Sequence, residues 1–80
     1  MRITLIGKPE CHLCQDAQAV LARVCGDLGL PWEELSILDD PALYDEFWEK
    51  IPVVQVDGRT VDFWTIDEER LRRVLSDNRT

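Results

Sequence analysis

One amphipathic segment between two short β-rich runs constrains the fold more than any other feature of this sequence. Residues 2–6 are rich in β-forming side chains and predict a first strand. From residue 11 to residue 28, apolar side chains recur at a helical spacing, and Gly29 followed by Pro31 is typical of a helix end. Residues 32–38 predict a second strand, and this βαβ order predicts that the two strands pair in parallel. The helix is expected to bury Leu13, Ala17, Val20, Leu21, Val24 and Leu28.

The middle of the chain predicts a short second helix. Asp40 is placed to cap this helix, and Pro41 suits its first helical position. The dipeptide Ile51-Pro52 is expected to mark its end. The candidates for its buried side are Leu43, Tyr44, Phe47 and Trp48.

A β-hairpin is predicted after this helix. Residues 53–56 are short and β-branched, and Asp57-Gly58 follows them, which is the strongest two-residue hairpin signal. The chain is then expected to return as an antiparallel strand, with Val61 and Phe63 on one face.

A capping box predicts the start of the last helix. Thr65 and Glu68 have the T-x-x-E spacing, and the helix is expected to reach about Leu75. The element order is therefore β-α-β-α-β-β-α. It predicts a single α/β domain over residues 1–80, with one mixed four-stranded sheet and helices on both faces. The last helix is expected to bury Ile66, Leu71, Val74 and Leu75.

The charge balance and hydropathy of the chain exclude several classes of partner. The formal net charge is −7, and nucleic-acid binding depends on clustered Lys and Arg, so no nucleic acid is expected as a partner. The apolar runs are too short to cross a bilayer, and residues 1–10 lack the apolar stretch of a signal peptide. We therefore expect a cytoplasmic monomer that does not bind membranes.

The chemistry of the chain is expected at its C-x-x-C motif. Cys11 and Cys14 lie between the first predicted strand and the first predicted helix, a setting that is typical of a redox dithiol. Free N–H groups at a helix N-terminus favour negative charge, so a thiolate at Cys11 is expected to be stabilised there. Such a thiolate attacks a disulfide sulfur, and the more shielded Cys14 can resolve the mixed disulfide. A purely structural cysteine pair is the alternative.

Four other residues are functional candidates, and most of them also have an ordinary structural interpretation. Lys8 could bind an anionic substrate or be a solvated surface lysine, and His12 could tune the thiolate or be an exposed spacer. Trp64 is the tryptophan expected nearest to a binding groove. Cys25 is expected to be buried as a small hydrophobic residue, with a regulatory thiol or a metal ligand as alternatives.

The run K-P-E-C-H-L-C, followed by I-P-V-V and D-G, resembles the glutaredoxins, and above all the compact bacterial glutaredoxin-like proteins with C-x-L-C. The resemblance covers nearly the whole chain and implies a thioredoxin fold. It implies that Cys11 attacks and Cys14 resolves. It also implies that Ile51-Pro52 is a cis-proline loop packed against the dithiol, that the Ile51 backbone pairs with substrate, and that Lys8 lies beside a glutathione site.

One departure from the glutaredoxin pattern concerns glutathione. Asp62-Phe63 stands where glutaredoxins usually carry Gly-Gly, and side chains there are expected to crowd the ligand, because only glycine allows such a close approach. The N-terminus of the last helix, at Ile66 and Asp67, is expected to offer N–H groups to a carboxylate.

The sequence therefore predicts a thiol–disulfide oxidoreductase with no tightly bound cofactor. Its substrate is expected to be a disulfide-containing protein or a glutathione mixed disulfide, and its electron donor glutathione or a thioredoxin-reductase-like partner. A metal or iron–sulfur carrier is one alternative, although a closed zinc site needs four ligands and no metal is expected. A non-catalytic adaptor that offers the groove at Pro52 and Trp64 to a partner is the other.

Overall fold

The computed structural model describes residues 1–78 and contains the predicted succession of elements. The elements are β1 (Ile3–Gly7), α1 (His12–Leu28), β2 (Glu33–Ser36), α2 (Pro41–Phe47), β3 (Val53–Val56), β4 (Arg59–Phe63) and α3 (Glu68–Asn78). The strand β2 is shorter at both ends than the sequence predicted. Across the described residues, no helix combines the length and the apolar character needed to span a membrane.

The four strands form one mixed sheet in the order β2-β1-β3-β4. β1 pairs with β2 in parallel, as the βαβ pattern predicted, whereas β3 is antiparallel to both β1 and β4. Ile6 of β1 is aligned with Val53 of β3, so the next pair along this register brings Gly7 opposite Pro52. The carboxyl end of β1 thus meets the start of β3 at one end of the sheet.

Helices cover both faces of this sheet, as predicted. α1 and α3 cover one face and form the larger hydrophobic cluster, and α2 covers the other face with a smaller one. The larger cluster contains Ile3, Leu5, Ala17, Leu21, Val24, Cys25, Val54, Val56, Ile66, Leu71 and Leu75. The smaller cluster contains Ile6, Ile37, Phe47 and Val53.

Three residues that the sequence placed in the core are exposed. Leu13 is 45% exposed, because its neighbour Cys14 takes the position in the first turn of α1 that faces β1. Tyr44 and Trp48 are 45% and 52% exposed, since they lie on the flank of α2 and not on the side where Phe47 meets the sheet. The predicted burial of these three side chains was wrong.

The predicted hairpin is present, but it contains a β-bulge that the sequence did not predict. Asp57 and Gly58 both have positive φ, of 52° and 84°, and form the tight turn that the sequence predicted. The pairing then shifts after Val54, which leaves Val61 as an extra residue on β4. Val61 packs against the larger cluster. Phe63 is paired with Val53 of the smaller cluster and is 41% exposed. The two side chains therefore do not share a face.

Asp67, and not Thr65, caps the last helix. Asp67 Oδ1 accepts the N–H of Arg70 at 3.1 Å, and the Asp67 carbonyl accepts the N–H of Leu71 at 3.0 Å. The helix begins at Glu68, so the predicted capping box and the predicted start near Ile66 were wrong. The Asp67 side chain takes the cap because it immediately precedes the first helical residue.

Candidate active site

Cys11 is the N-cap residue of α1. Its backbone is extended, with φ −119° and ψ 116°, and its Sγ accepts the N–H of Cys14 at 3.2 Å. Its carbonyl accepts the first helical hydrogen bond, from Gln15, at 3.0 Å. The sulfur occupies the place that a Ser or Asp oxygen usually takes, at the positive end of the helix dipole. The backbone of the first helical turn therefore holds the partly exposed Cys11 sulfur at the N-terminus of α1.

Cys14 is far more buried than Cys11. It is only 1% exposed and lies against the carboxyl end of β1. Burial raises the pKa of the Cys14 thiol to about 11, assisted by its hydrogen bond with the Cys11 side chain and by the charges of Cys11 and Glu34. The backbone N–H of Lys8 acts in the opposite direction. At neutral pH the site thus holds an accessible sulfur beside a buried, protonated one.

Gly7 is a site residue that the sequence analysis missed. It is the last residue of β1, and a Cβ added to it would lie 2.9 Å from the Sγ of Cys14 and 3.3 Å from its Cβ. A glycine in a strand often marks such a close approach, and that was the available signal. The absence of a side chain at Gly7 lets the Cys14 sulfur rest directly on the strand.

Pro52 lies next to this contact. The Ile51–Pro52 peptide bond is cis, and the Pro52 side chain is fully buried. The β1–β3 register brings Pro52 opposite Gly7, whose backbone touches Cys14. Ile51 packs against the smaller core cluster. The structure therefore brings the cis-proline loop and the dithiol to the same end of the sheet, and pairing of the Ile51 backbone with substrate stays a prediction.

Two residues at the site have left-handed backbone conformations. Glu10, immediately before Cys11, has φ 59°, and Trp64 has φ 66°. Such a conformation costs a non-glycine residue about 1 kcal/mol and tends to occur at functional sites. Trp64 is held by two hydrogen bonds, from its N–H to the Pro52 carbonyl and from Nε1 to the Glu49 carbonyl, both 2.9 Å. This places Trp64 beside the cis-proline loop.

The other predicted site residues lie near Cys11 without specific contacts. Lys8 and His12 are both exposed, on the segments that lead into and out of Cys11. Neither side chain forms a hydrogen bond or ion pair with any of residues 1–78. Substrate binding by Lys8, His12 and Trp64 stays a prediction.

Cys25 is remote from the dithiol. It is 1% exposed in the larger core cluster, and burial raises the pKa of its thiol. It follows Cys14 by eleven residues on α1, which corresponds to roughly 16 Å along the helix. Within the described part of the chain, no group of three or more His, Cys, Asp or Glu could hold a metal ion. Cys25 therefore cannot join the dithiol in a metal site within one chain.

Asp62 fills the N-terminal end of α3. Its Oδ1 accepts the N–H of Phe63 and its Oδ2 accepts the N–H of Asp67, each at 2.9 Å. The Arg70 guanidinium lies 3.9 Å from Asp62 Oδ1. Of the two N–H groups expected to bind a ligand carboxylate, that of Asp67 is already occupied by the Asp62 carboxylate, so this part of the expectation was wrong. Binding by the Ile66 N–H stays a prediction. Crowding of glutathione by Asp62 and Phe63 stays a prediction.

The sequence of the chain matches the family model described as Glutaredoxin-like domain (DUF836) over residues 2–76. Uncharacterised proteins of Mycobacterium tuberculosis and Mycobacterium bovis are 30% identical to it over 76 residues. These alignments cover 89% of this chain and 78% of each relative.

Solved structures share its architecture. The X-ray structure of the structural genomics target protein XcR50 from X. campestris has a TM-score of 0.78 at 32% identity, covering 94% of this chain and 96% of that one. Reduced Escherichia coli glutaredoxin has a TM-score of 0.65 at 14% identity, covering 98% and 96%. Thioredoxin 1 of Thermosipho africanus has a TM-score of 0.65 at 11% identity and full coverage of both chains. The chain has the thioredoxin fold and belongs to the glutaredoxin-like domain family.

Proposed function

We propose that this protein is a thiol–disulfide oxidoreductase in which Cys11 attacks a substrate disulfide and Cys14 resolves the mixed disulfide. The observation that carries this proposal is the difference between the two sulfurs. The Cys11 sulfur is partly exposed and accepts a helix N-terminal N–H at 3.2 Å, whereas Cys14 is buried and its pKa is raised to about 11. One sulfur is suited to attack and the other to wait as a protonated thiol.

The reaction follows from this arrangement. The Cys11 thiolate bonds to one substrate sulfur while the substrate S–S bond breaks, and the departing sulfur takes a proton. Cys14 then loses its proton and bonds to the Cys11 sulfur, which releases the second substrate sulfur. The protein dithiol loses two electrons and becomes a disulfide, and the substrate disulfide becomes two thiols.

The electrostatics of the pair favour the second step. Part of the raised pKa of Cys14 comes from the negative charge of Cys11. This charge disappears when Cys11 becomes part of a mixed disulfide, so the Cys14 thiol loses its proton more easily at the point where it must attack.

The setting of the reaction is part of the proposal. The substrate is a protein disulfide or a glutathione mixed disulfide, and glutathione or a reductase returns the Cys11–Cys14 disulfide to the dithiol. A monomer acting in the cytoplasm suits this role, because a reducing compartment keeps such a pair available as a dithiol. The chemistry requires no tightly bound cofactor.

The test is site-resolved alkylation of the reduced protein, quantified by mass spectrometry at neutral pH. Cys11 is expected to react first, with Cys14 and Cys25 far slower because both are 1% exposed. Cys14→Ser is expected to accumulate a mixed disulfide at Cys11, Cys11→Ser to form none, and Cys25→Ser to behave like the wild type. A Cys11 that reacts no faster than Cys25, or disulfide reduction by Cys11→Ser, would refute the proposal.

A further inference from the structure

Four exposed aromatic side chains lie in two pairs beside the cis-proline loop. This aromatic surface consists of Tyr44, Trp48, Phe63 and Trp64, which are 41% to 56% exposed. Tyr44 stacks on Trp48 with ring centroids 6.3 Å apart, and Phe63 meets Trp64 edge to face at 5.0 Å. The Trp64 Nε1–H donates to the carbonyl of Glu49, the residue after Trp48, and so joins the two pairs. Exposed apolar patches of this kind mark interaction sites.

The aromatic surface adjoins the redox site. The Trp64 N–H donates to the Pro52 carbonyl at 2.9 Å, and Pro52 lies opposite Gly7, the strand residue that contacts Cys14. A polypeptide whose disulfide reaches Cys11 would therefore extend over these rings.

Unpaired carboxylates border the aromatic surface. Residues 39–50 contain five acidic residues and one basic residue, Lys50, so this segment carries a net charge of −4 out of −7 for the chain. Asp45, Glu46 and Glu49, here called the acidic rim, are exposed next to Tyr44 and Trp48 in the chain. No ion-pair partner for them occurs within the described residues. The rim thus presents an uncompensated negative field to a substrate.

The start of α3, which follows Trp64 in the chain, also disfavours anions. The Asp67 N–H at the start of α3 is occupied by the Asp62 carboxylate, and the Arg70 N–H is occupied by the Asp67 carboxylate. A substrate carboxylate approaching either of these two N–H groups would meet the carboxylate of Asp62 or Asp67. Repulsion between like charges makes this a poor site for an anionic ligand.

We propose that the redox site selects disulfides held in apolar, positively charged protein segments, and that it discriminates against glutathione disulfide. The inference rests on the proposed function, since it names the substrate class of the same dithiol. Apolar side chains would cover the rings, and Lys or Arg would pair with the acidic rim and lie over Trp faces. Glutathione, whose carboxylates outnumber its ammonium group, would meet repulsion at the acidic rim and from Asp62 and Asp67 at the start of α3.

The probes are glutathione disulfide and two synthetic peptides, each dimerised through one cysteine. The peptides share an apolar residue beside the cysteine and differ only in flanking lysines or glutamates. The measurement is the rate at which each probe oxidises the reduced protein, followed by acid quenching and mass spectrometry. Each rate is divided by the rate of the same probe with dithiothreitol, which removes the intrinsic reactivity of the probe.

The lysine peptide is expected to react at least about 10-fold faster than the glutamate peptide at low salt, because steering by local charge has this magnitude. The ratio is expected to shrink in about 0.5 M salt, since the screening length then falls to a few ångströms. Asp45→Asn and Glu49→Gln are each expected to lower the ratio. Trp48→Ala is expected to slow both peptides more than it slows glutathione disulfide.

Asp57→Asn is the matched control. It removes one negative charge at the far end of β3, about 16 Å from Pro52, and keeps both an oxygen acceptor for the Arg2 N–H and a residue suited to the turn. It is expected to leave the ratio unchanged. Equal normalised rates for the two peptides, or a higher rate for glutathione disulfide, would overturn the selectivity while leaving the oxidoreductase intact. A protein that no probe oxidises would overturn the proposed function itself.

Discussion

The contact between Gly7 and Cys14 yields a sharp prediction about stability. In Gly7→Ala the new Cβ would lie 2.9 Å from the Cys14 Sγ, closer than two non-bonded atoms of this size normally approach. Gly7 and Cys14 are both buried, and Cys14 is tied to Cys11 through its backbone N–H, so neither side can move freely. Overpacking a filled core typically costs about 1–3 kcal/mol, and we expect a loss of unfolding free energy in this range.

The assay is urea denaturation of the reduced protein, followed by tryptophan fluorescence. Gly26→Ala is the matched control, because it makes the same chemical change on α1, where an added Cβ has no neighbour within 4 Å. Replacing a helical glycine by alanine stabilises by up to about 1 kcal/mol, so the two substitutions should have opposite signs.

A double-mutant cycle isolates the contact. Cys14→Ala removes the Sγ and leaves only the Cβ, at 3.3 Å from the added methyl group. Gly7→Ala should therefore cost at least about 1 kcal/mol less in the Cys14→Ala background than in the wild type. An equal cost in both backgrounds would show that the Cys14 sulfur does not rest on Gly7, and the reasoning about the buried thiol would fail with it.

Three further predictions concern the buried thiol, the helix cap and the core. Because the pKa of Cys14 is raised from 9.0 to about 11, its protonated thiol favours the folded state below pH 9, and this stabilisation is lost as the pH rises to about 11. Between these pH values the unfolding free energy of the wild type should therefore fall by about 3 kcal/mol more than that of Cys14→Ala. Parallel pH profiles in denaturation experiments would contradict this. Asp67→Ala should lower the unfolding free energy by about 1 kcal/mol and Thr65→Ala by less than about 0.5, and the reverse order in urea denaturation would restore the capping box. By the same measurement, Leu21→Ala should lower the unfolding free energy by about 2–5 kcal/mol and Leu13→Ala should change it hardly at all, and similar costs would contradict the exposed position of Leu13.

Structural features that depend on a few adjacent residues were predicted correctly from the sequence. Asp40 caps α2 through a hydrogen bond of 2.9 Å to a first-turn N–H, with Pro41 in the first helical position. Gly29 ends α1 in the left-handed conformation, with φ 68°. The Asp57-Gly58 turn joins β3 and β4. Each depends on local backbone geometry, which the residue type largely dictates.

The errors arose where contacts distant in sequence decide between local alternatives. Thr65 and Asp67 are both capping residues by type, and Asp62 influences the outcome by holding the Asp67 N–H from β4. Val61 and Phe63 were predicted to share a face from strict alternation, which holds only while the ladder is regular. In the same way, the helical spacing of apolar residues gives the approximate buried face of a helix but not whether Leu13 or its neighbour Cys14 faces the sheet.

The candidate active site also combines a locally determined feature with one that depends on distant contacts. The sequence predicted Cys11 at the helix N-terminus because a C-x-x-C motif and a helix start are local features. The burial of Cys14 depends on the missing side chain of Gly7, which lies one residue beyond the strand that the sequence predicted. The sequence therefore located the dithiol, and tertiary packing made its two sulfurs different.

The aromatic surface illustrates how a failed burial prediction can carry functional information. α2 has only seven residues, so it can lay one row of side chains on the sheet, and Leu43 and Phe47 occupy that row. Tyr44 and Trp48 form the adjacent row, which the same short helix cannot bury. Keeping large rings exposed has a cost in solubility, and here they border unpaired carboxylates and the cis-proline loop. A partner that covers the rings and neutralises the carboxylates would remove both costs at once, and an apolar, cationic substrate segment has that chemistry.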